Sequence, residues 1–392
     1  MEEIKVGLVG LGPRGRFCWS RNLRRMKGYR LVALCERVKP LLDQALEDCE
    51  EPRPAAFADF DEMLDKARPD AVGITTGADT QADLVVKCLD AGIHVMTDVP
   101  ACATIEQCWN MVLAAERSKA KYQLAEQTRY WGFIQAWRRL VEDGTLGKIH
   151  YAEGEYIGWY GTDFLFRDEA TGARYPYEEA IGNPAITPTW RNGIHPIWYL
   201  PHELSPLLYV LDDRVTKVSC MGTPRQAYNY PELKQSDIEA ALMYTEKDTV
   251  MRLVCGFTTP VGGKGEIHHH WFQLFGSKGQ VEWKRAGWDK CKMWLADGQM
   301  KDWAAMPWGP ERLDAPAEAR GSGHGDADYY PFASFRDAIL NDTTPPMDIY
   351  KAIETAAPAI LAGLSAEKGG ELIHVPDFRP NPSRKPGERP KL

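Results

Sequence analysis

Long hydrophobic runs are missing from this 392-residue chain, and its mean hydropathy is −0.41. No segment approaches the roughly 20 apolar residues that a membrane-crossing helix requires, which excludes a transmembrane span. A secretory leader is also missing: MEEIKVGLVG enters a strand by residue 4 without a cationic n-region, apolar core and cleavage site, so a cytoplasmic protein is expected. Basic residues are in deficit, 47 Lys and Arg against 55 Asp and Glu, and a net charge of −8 argues against nucleic acid as a partner. There is no C-x-x-C pair. Nine cysteines, an odd number scattered from Cys18 to Cys291, read as reduced thiols rather than disulfides or structural zinc. No internal repeat is found. What is abundant is aromatic side chains, 13 Trp and 16 Tyr among them, and amphipathic rings in such number suit a pocket that stacks on a sugar.

At about 150 residues per domain the length fits two domains. The first opens with the apolar run from Ile4 to Val9, followed at once by Gly10-Leu11-Gly12-Pro13-Arg14-Gly15. In a G-x-G-x-x-G turn between strand and helix, the first glycine makes the tight turn and the second lets the backbone approach a pyrophosphate. The third packs the helix closely, and that helix's N-terminus faces the anion. A second strand, Tyr29 to Cys35, ends in Glu36, 21 residues past Gly15. A carboxylate there accepts from a ribose 2′-hydroxyl and repels a 2′-phosphate, which favours NAD over NADP; Arg37 beside it could cover the adenine or reach a 2′-phosphate. Strands alternating with helices through residue 126 predict a parallel, right-handed sheet with ligand at the carboxyl ends of the strands. Thr76, Asp98, Pro100 and Glu126 all stand at such ends.

From residue 127 the pattern changes to hairpin-linked strands near 149–157, 215–221, 238–257 and 271–283. The expected fold is α/β: an N-terminal Rossmann domain (1–126) and a C-terminal α/β domain with an open, mostly antiparallel sheet (127–377). A proline-rich, cationic tail (378–392) is expected to be mobile. The aperiodic stretch 163–196 reads as a cap over a site. An uncovered sheet face would call for a second copy, so a homo-oligomer is expected. Tyr199 and His202, three apart at the start of an apolar helix, share a face; with Glu126 and Tyr156 they supply an imidazole, two phenols and a carboxylate for proton transfer.

These motifs resemble the Gfo/Idh/MocA oxidoreductase family over nearly the whole chain: the glycine loop, the Ala91-Gly92-Ile93-His94-Val95 strand leading to an x-x-Pro motif, the Phe275-Gly276-Ser277-Lys278-Gly279 hairpin and Pro345-x-x-Asp348 before the last helix. The resemblance implies a Rossmann domain, NAD and action on sugars or polyols. Most members carry Glu-Lys-Pro where this chain has Asp98-Val99-Pro100, and an Asp where it has Trp198. Val99 cannot do the work of that lysine. The set Glu126, Tyr156, Tyr199 and His202 is instead similar to the family's NAD-dependent glycoside hydrolases, notably the α-N-acetylgalactosaminidase group, with a sulfoquinovoside-cleaving group as a sister.

That resemblance implies redox-neutral hydrolysis: hydride removal at carbon 3 of the sugar acidifies the carbon 2 proton, the aglycone is eliminated, water adds, and the hydride returns. His202 would serve the carbon 3 hydroxyl, Tyr156 or Tyr199 carbon 2, and Glu126 sugar binding or proton relay. A net sugar dehydrogenase or ketosugar reductase, and a non-catalytic NAD or sugar binder, are the alternatives. Around the expected crevice, Arg129, Trp190, Arg191, His270 and His324 are candidate substrate contacts, each with a structural alternative. Of the triple His268-His269-His270 only alternate residues share a strand face, and no Cys or Asp stands nearby, so no metal is expected. Trp131, Trp159, Tyr160 and Trp198 complete the aromatic frame.

Overall fold

The computed structural model describes residues 3–158, 165–263, 265–267, 269–296, 298 and 300–390. Six short strands open the fold: β1 (Ile4–Val9), β2 (Tyr29–Cys35), β3 (Ala55–Phe57), β4 (Ala71–Ile74), β5 (His94–Thr97) and β6 (Tyr122–Leu124). They pair parallel in the order β3-β2-β1-β4-β5-β6, with the chain reversing direction across the sheet on either side of β1. Their near-unbroken apolar runs are explained by helices on both faces; β4 is buried at every position. Two of the covering helices are capped by side chains, Asp59 accepting from the Glu62 amide and Thr104 from that of Gln107, caps worth about 1 kcal/mol each. Gly73 carries no side chain because Trp19 lies across it, 2.9 Å from where a Cβ would stand.

The second half is a nine-stranded sheet. Its strands are β7 (Ile149–Ile157), β10 (Val215–Gly222), β11 (Glu239–Thr245), β12 (Val250–Gly256), β13 (His270–Gly276), β14 (Gly279–Glu282), β15 (Lys292–Leu295), β16 (Ala304–Ala305) and β17 (Ile373–His374). A small hairpin of β8 (Phe166–Asp168) and β9 (Ile186–Pro188) stands apart. The order is β16-β15-β14-β13-β7-β12-β11-β10-β17, antiparallel except for β7 with β12. One face packs on the helices Gly132–Glu142 and Pro201–Leu211 around Trp137, Phe272 and Trp283. The other buries Trp271 under the Arg285 guanidinium, 3.2 Å from its ring, and is exposed along β11. There β11 alternates strictly, with Leu242 and Tyr244 outward, beside an ion network in which Arg252 bridges Glu153 (3.1 Å) and Glu155 (3.0 Å).

The chain then returns to the first sheet. Phe332 of the helix Tyr329–Leu340 meets Trp19 edge-on at 5.0 Å and its carbonyl accepts from the Tyr29 hydroxyl. The Met347 carbonyl accepts from the Leu124 amide, and the helix Ile349–Glu367 packs on the helix Ile105–Arg117. The tail does not behave as its composition led us to expect. Phe378 packs on Trp109, and Arg384, 2% exposed, pairs with the buried Glu116 at 2.8 Å. A guanidinium matched to a buried carboxylate fastens a segment that polar composition alone would leave free. Among the described residues no helix is long and apolar enough to cross a membrane, and all nine cysteines are buried thiols.

Candidate active site

The glycine loop has the geometry its spacing demands. Gly10 takes φ +87°, where L side chains are strained, and a Cβ on Gly15 would stand 2.0 Å from the Gly10 carbonyl oxygen. At Gly12, by contrast, a Cβ would meet nothing within 4 Å, so the space over this residue is open to a ligand. Thr75, which sequence reasoning passed over, ties the loop to β4 by donating to the Gly10 carbonyl at 2.5 Å. The Glu36 carboxylate, at the end of β2, accepts from the amides of Leu11 (2.8 Å) and Val38 (3.0 Å) and so is already oriented at the loop. Its oxygens keep lone pairs for ribose hydroxyls. Arg37 is exposed beside it, Pro13 leads into the helix that starts at Arg14, and Thr76 accepts from the Thr80 hydroxyl at the mouth of β4. Open space over Gly12, a turn only glycine permits and a ribose-facing acid fit NAD.

Across the crevice, the helix Pro201–Leu211 presents two adjacent polar residues, His202 and Glu203, inside an otherwise apolar run. His202 Nδ1 lies 2.8 Å from Glu126 Oε2. Glu126 is fully buried, and its other oxygen accepts from the amide (2.9 Å) and hydroxyl (2.7 Å) of Thr128. The same hydroxyl also lies 2.7 Å from the His202 carbonyl and shares its single proton between the two acceptors, so β6 and the helix are stitched together at this point. Glu203, equally buried, meets His270 Nδ1 at 2.5 Å. Room for it comes from Gly154 on β7, where a Cβ would stand 2.8 Å from that of Glu203. Two residues along the same strand face, Tyr156 stacks on the His270 ring at 4.0 Å and meets His202 edge-on at 5.5 Å. Tyr199 ends a 3-10 turn just before the helix rather than sitting in it, yet its ring still lies parallel to that of His202 at 6.3 Å. The outcome is two histidine–carboxylate pairs with a phenol beside each.

Of these rings Tyr156 and Tyr199 line a cleft of about 570 Å³, and His202 and His270 pack against them. Arg191 lines it and donates from Nε to the Tyr199 oxygen at 2.7 Å. Trp190 stacks over Tyr199 and reaches the first domain, its ring 2.9 Å from a Cβ position on Gly77. The opposite wall is polar: Arg14 bridges Asp98 (3.0 Å) and Asp328 (3.2 Å), and His324 Nδ1 lies 2.8 Å from the same Asp328. Val99, buried, packs in the core of the first domain, so no cation stands at that position and Arg14 is the charge set against Asp98. Gln81 holds the Asp98-to-Pro100 turn by donating to both carbonyls, and Pro100 is buried below it. Burial alone would raise the Asp328 carboxyl, but Arg14 and His324 outweigh it and hold the group well below the usual carboxylate range.

A depressed carboxyl contributes stability above its unfolded pKa, about 3.9, and that stability is lost as pH falls toward the folded value. Asp328→Asn should therefore destabilise the protein by roughly 3 kcal/mol at pH 7, the low end for breaking a buried pair because Arg14 keeps Asp98. Urea melts at pH 7 and at pH 3.5 should show the gap to wild type shrinking at the lower pH. An equal gap at both would remove Asp328 from the ion network.

Not every expected residue gathers here. Arg129 turns away from the cleft: its guanidinium donates to the Pro346 carbonyl and lies 4.5 Å over the Tyr209 ring. Trp198 faces the helix Ile349–Glu367, at Gly363, instead of the crevice. Trp131 backs His270 edge-on at 5.2 Å, one layer behind the cleft, and donates to the His324 carbonyl. Trp159, Tyr160 and His268 lie outside the described residues. Among the described residues no cluster of three or more metal-ligating side chains occurs. Sequence reasoning missed Glu203, Asp328, Arg174 and Arg21, the last two lining the cleft. A lone acid inside the apolar run Pro201-to-Leu208 was the available signal for Glu203.

Family profiles match the chain in three consecutive parts. The NAD-binding Rossmann fold of the oxidoreductase family covers residues 4–126, the GFO/IDH/MocA C-terminal domain covers 134–282, and the glycosyl hydrolase 109 C-terminal domain covers 280–382. A glycosyl hydrolase family 109 protein of Shewanella sp. (strain ANA-3) is 24% identical, over 96% of this chain and 85% of its own length. An Agrobacterium radiobacter oxidoreductase, solved with NAD+, L-tartaric acid and magnesium, superposes with a TM-score of 0.73 at 15% identity, covering 95% of this chain and 98% of its own. Scyllo-inositol dehydrogenase of Lactobacillus casei, solved with NAD(H) and scyllo-inositol, gives 0.68 at 21% identity, over 95% and 99%. Glycine loop, acid at the end of β2, open second sheet and matched profiles lead to one assignment: the chain is an NAD-dependent member of the Gfo/Idh/MocA oxidoreductase family, and its C-terminal quarter takes the glycosyl hydrolase 109 form.

Proposed function

We propose that this enzyme cleaves a glycoside without net oxidation, by proton transfers at neighbouring carbons of a pyranose. The observation that carries the reading is the doubling of proton-handling groups at one wall: Tyr156 and Tyr199 line the cleft, and packed against them are His202 backed by Glu126 and His270 backed by Glu203. Oxidising an alcohol requires one base; elimination across the next bond requires a second. The names of the Shewanella relatives support a glycosidic substrate, and the scyllo-inositol bound to the Lactobacillus dehydrogenase supports a polyhydroxylated ring.

Gly10, Gly12, Gly15 and Glu36 would hold NAD. When bound, it supplies a two-electron acceptor for a carbinol carbon, and the electron pair is returned at the end of the cycle. His202, with Nδ1 turned to Glu126, takes the hydroxyl proton at carbon 3 on its other nitrogen. Glu126, having no surface in the cleft, is a positioning residue that fixes this ring and meets its charge. Tyr199 exchanges the proton at carbon 2. Arg191 donates to its oxygen, so negative charge appearing there meets a fixed donor. As the carbon 2 proton leaves, the bond from carbon 1 to the aglycone oxygen breaks and that oxygen takes up a proton. Water then adds across the double bond and the first step reverses. Trp190 and Tyr156 provide ring faces for the sugar.

Turnover of a panel of glycosides in heavy water by the NAD-loaded enzyme tests this. One deuterium at carbon 2 of the released sugar, with no accumulating NADH, is the expected result. Stoichiometric NADH would establish a net dehydrogenase, and a product without the label would exclude the elimination route.

A further inference from the structure

Arg129, which turns its back on the cleft, lines a second cavity of about 320 Å³ at the junction of the two domains. This cavity runs beside the C-terminal half of the helix whose first turn carries His202 and Glu203, past Ser205, Leu208 and Tyr209. Arg129 is 4% exposed, and among the described residues no carboxylate lies within ion-pair distance of it. Its contacts are the Pro346 carbonyl at 3.3 Å, the Met347 sulfur and the Tyr209 ring. A buried guanidinium without a counter-charge is rare because removing such a charge from water is costly.

The acids of the cavity wall are already engaged. Glu246 binds Arg214 (2.9 Å), Glu354 binds Arg379 (2.9 Å), Asp212 pairs with Lys247 (3.5 Å), and Asp213 accepts from the amides of Arg214 (2.8 Å) and Lys247 (3.2 Å). Lys351 stands on the same wall without an ion pair among the described residues, and Arg138 lies over the other side of Tyr209 at 4.1 Å. Burial holds the Arg129 guanidinium below its usual range, with Arg138 adding to the effect; burial and the Arg129 charge likewise lower Lys351. The cations repel one another, and carboxylates beyond ion-pair distance, Glu126 for Arg129 and Asp348 and Asp212 for Lys351, offset part of their charge.

We propose that this cavity is a binding site for a small phosphate-type dianion, inorganic phosphate or the phosphate of a monoester, held by Arg129 and Lys351. Two cations with no ion pair of their own suit a dianion, and the Ser205 hydroxyl on the wall can donate to a third oxygen. The volume is that of about ten waters, enough for the anion with part of its hydration or for a short ester.

The test uses the full chain at saturating NAD, so that the cofactor's own phosphate site is filled. Calorimetric titration with sodium phosphate, and separately with glycerol 3-phosphate, is compared with sodium chloride at matched ionic strength. Saturable binding of either is expected in wild type, weakened at least tenfold by Lys351→Glu, whose change breaks no ion pair among the described residues, and by Arg129→Gln. Tighter binding of the ester than of phosphate identifies an ester as the ligand; equal binding identifies inorganic phosphate. Absence of saturable binding beyond chloride overturns the proposal, and so does unchanged affinity in Lys351→Glu, which places the anion among the arginines of the cleft. Should Arg129→Gln fail to fold, the Lys351 variant decides.

Discussion

His202→Asn is expected to lower turnover about 10³-fold while leaving NAD affinity unchanged, within the range found when a positioned general base is removed. The choice of Asn matters. Glu126 is fully buried against His202, and a variant with no donor there would leave a carboxylate uncompensated, at a cost of about 3–5 kcal/mol that would confuse misfolding with lost chemistry. An amide keeps a donor for Glu126 but has no basic nitrogen to accept the hydroxyl proton. Under the proposed cycle, carbon 2 exchange falls with turnover, because no proton at carbon 2 is labile until carbon 3 has been oxidised. The check is parallel measurement of NAD binding by fluorescence and of label uptake in heavy water. Label uptake at the wild-type rate would move the first step to another base, with His270 on Glu203 the next group in line.

The second large effect is expected at Gly12. Because a Cβ there meets no protein atom within 4 Å, Gly12→Val should fold and melt as wild type does without cofactor. With NAD the case is different, since the added side chain stands where the pyrophosphate must approach the backbone. Overpacking of about 1–3 kcal/mol corresponds to roughly 5- to 150-fold weaker NAD binding. Gly15→Ala is the contrasting variant: its Cβ would collide with the Gly10 carbonyl at 2.0 Å, so it should lose stability even without NAD. Isothermal titration with NAD and melts without it separate the two. A Gly12→Val protein that binds NAD normally would place the cofactor elsewhere on the sheet.

Much of this was legible in residue order. Strands buried on both faces appear as apolar runs, and the glycine loop with Glu36 is a local pattern whose geometry follows from its spacing. The alternation in β11 likewise shows one wet face. What could not be read were partnerships across the fold. Glu203 is adjacent to His202 in sequence, but its value lies in His270, 67 positions away, and in Gly154, which only the β7 register brings beneath it. Arg129 follows Glu126 closely in sequence, but the turn at Thr128–Tyr130 leaves Glu126 buried against His202 and sends the Arg129 side chain to a second cavity. Composition misjudged the tail for the same reason, since Arg384 gives no sign in sequence that Glu116 awaits it.

The return of residues 329–390 to the first sheet bears on how the chain is made. Trp19, Tyr29 and Trp109 obtain their covering side chains and acceptors from Phe332 and Phe378, so during synthesis the nucleotide-binding half emerges early yet keeps apolar surface open until almost the whole chain has left the ribosome. Strand β7 waits as well, for neighbours some hundred positions downstream, and closing loops of that length slows folding. Neither half can mature ahead of the other. Nascent chains of this enzyme therefore pass through a long, sticky interval in which chaperones have the most to hold.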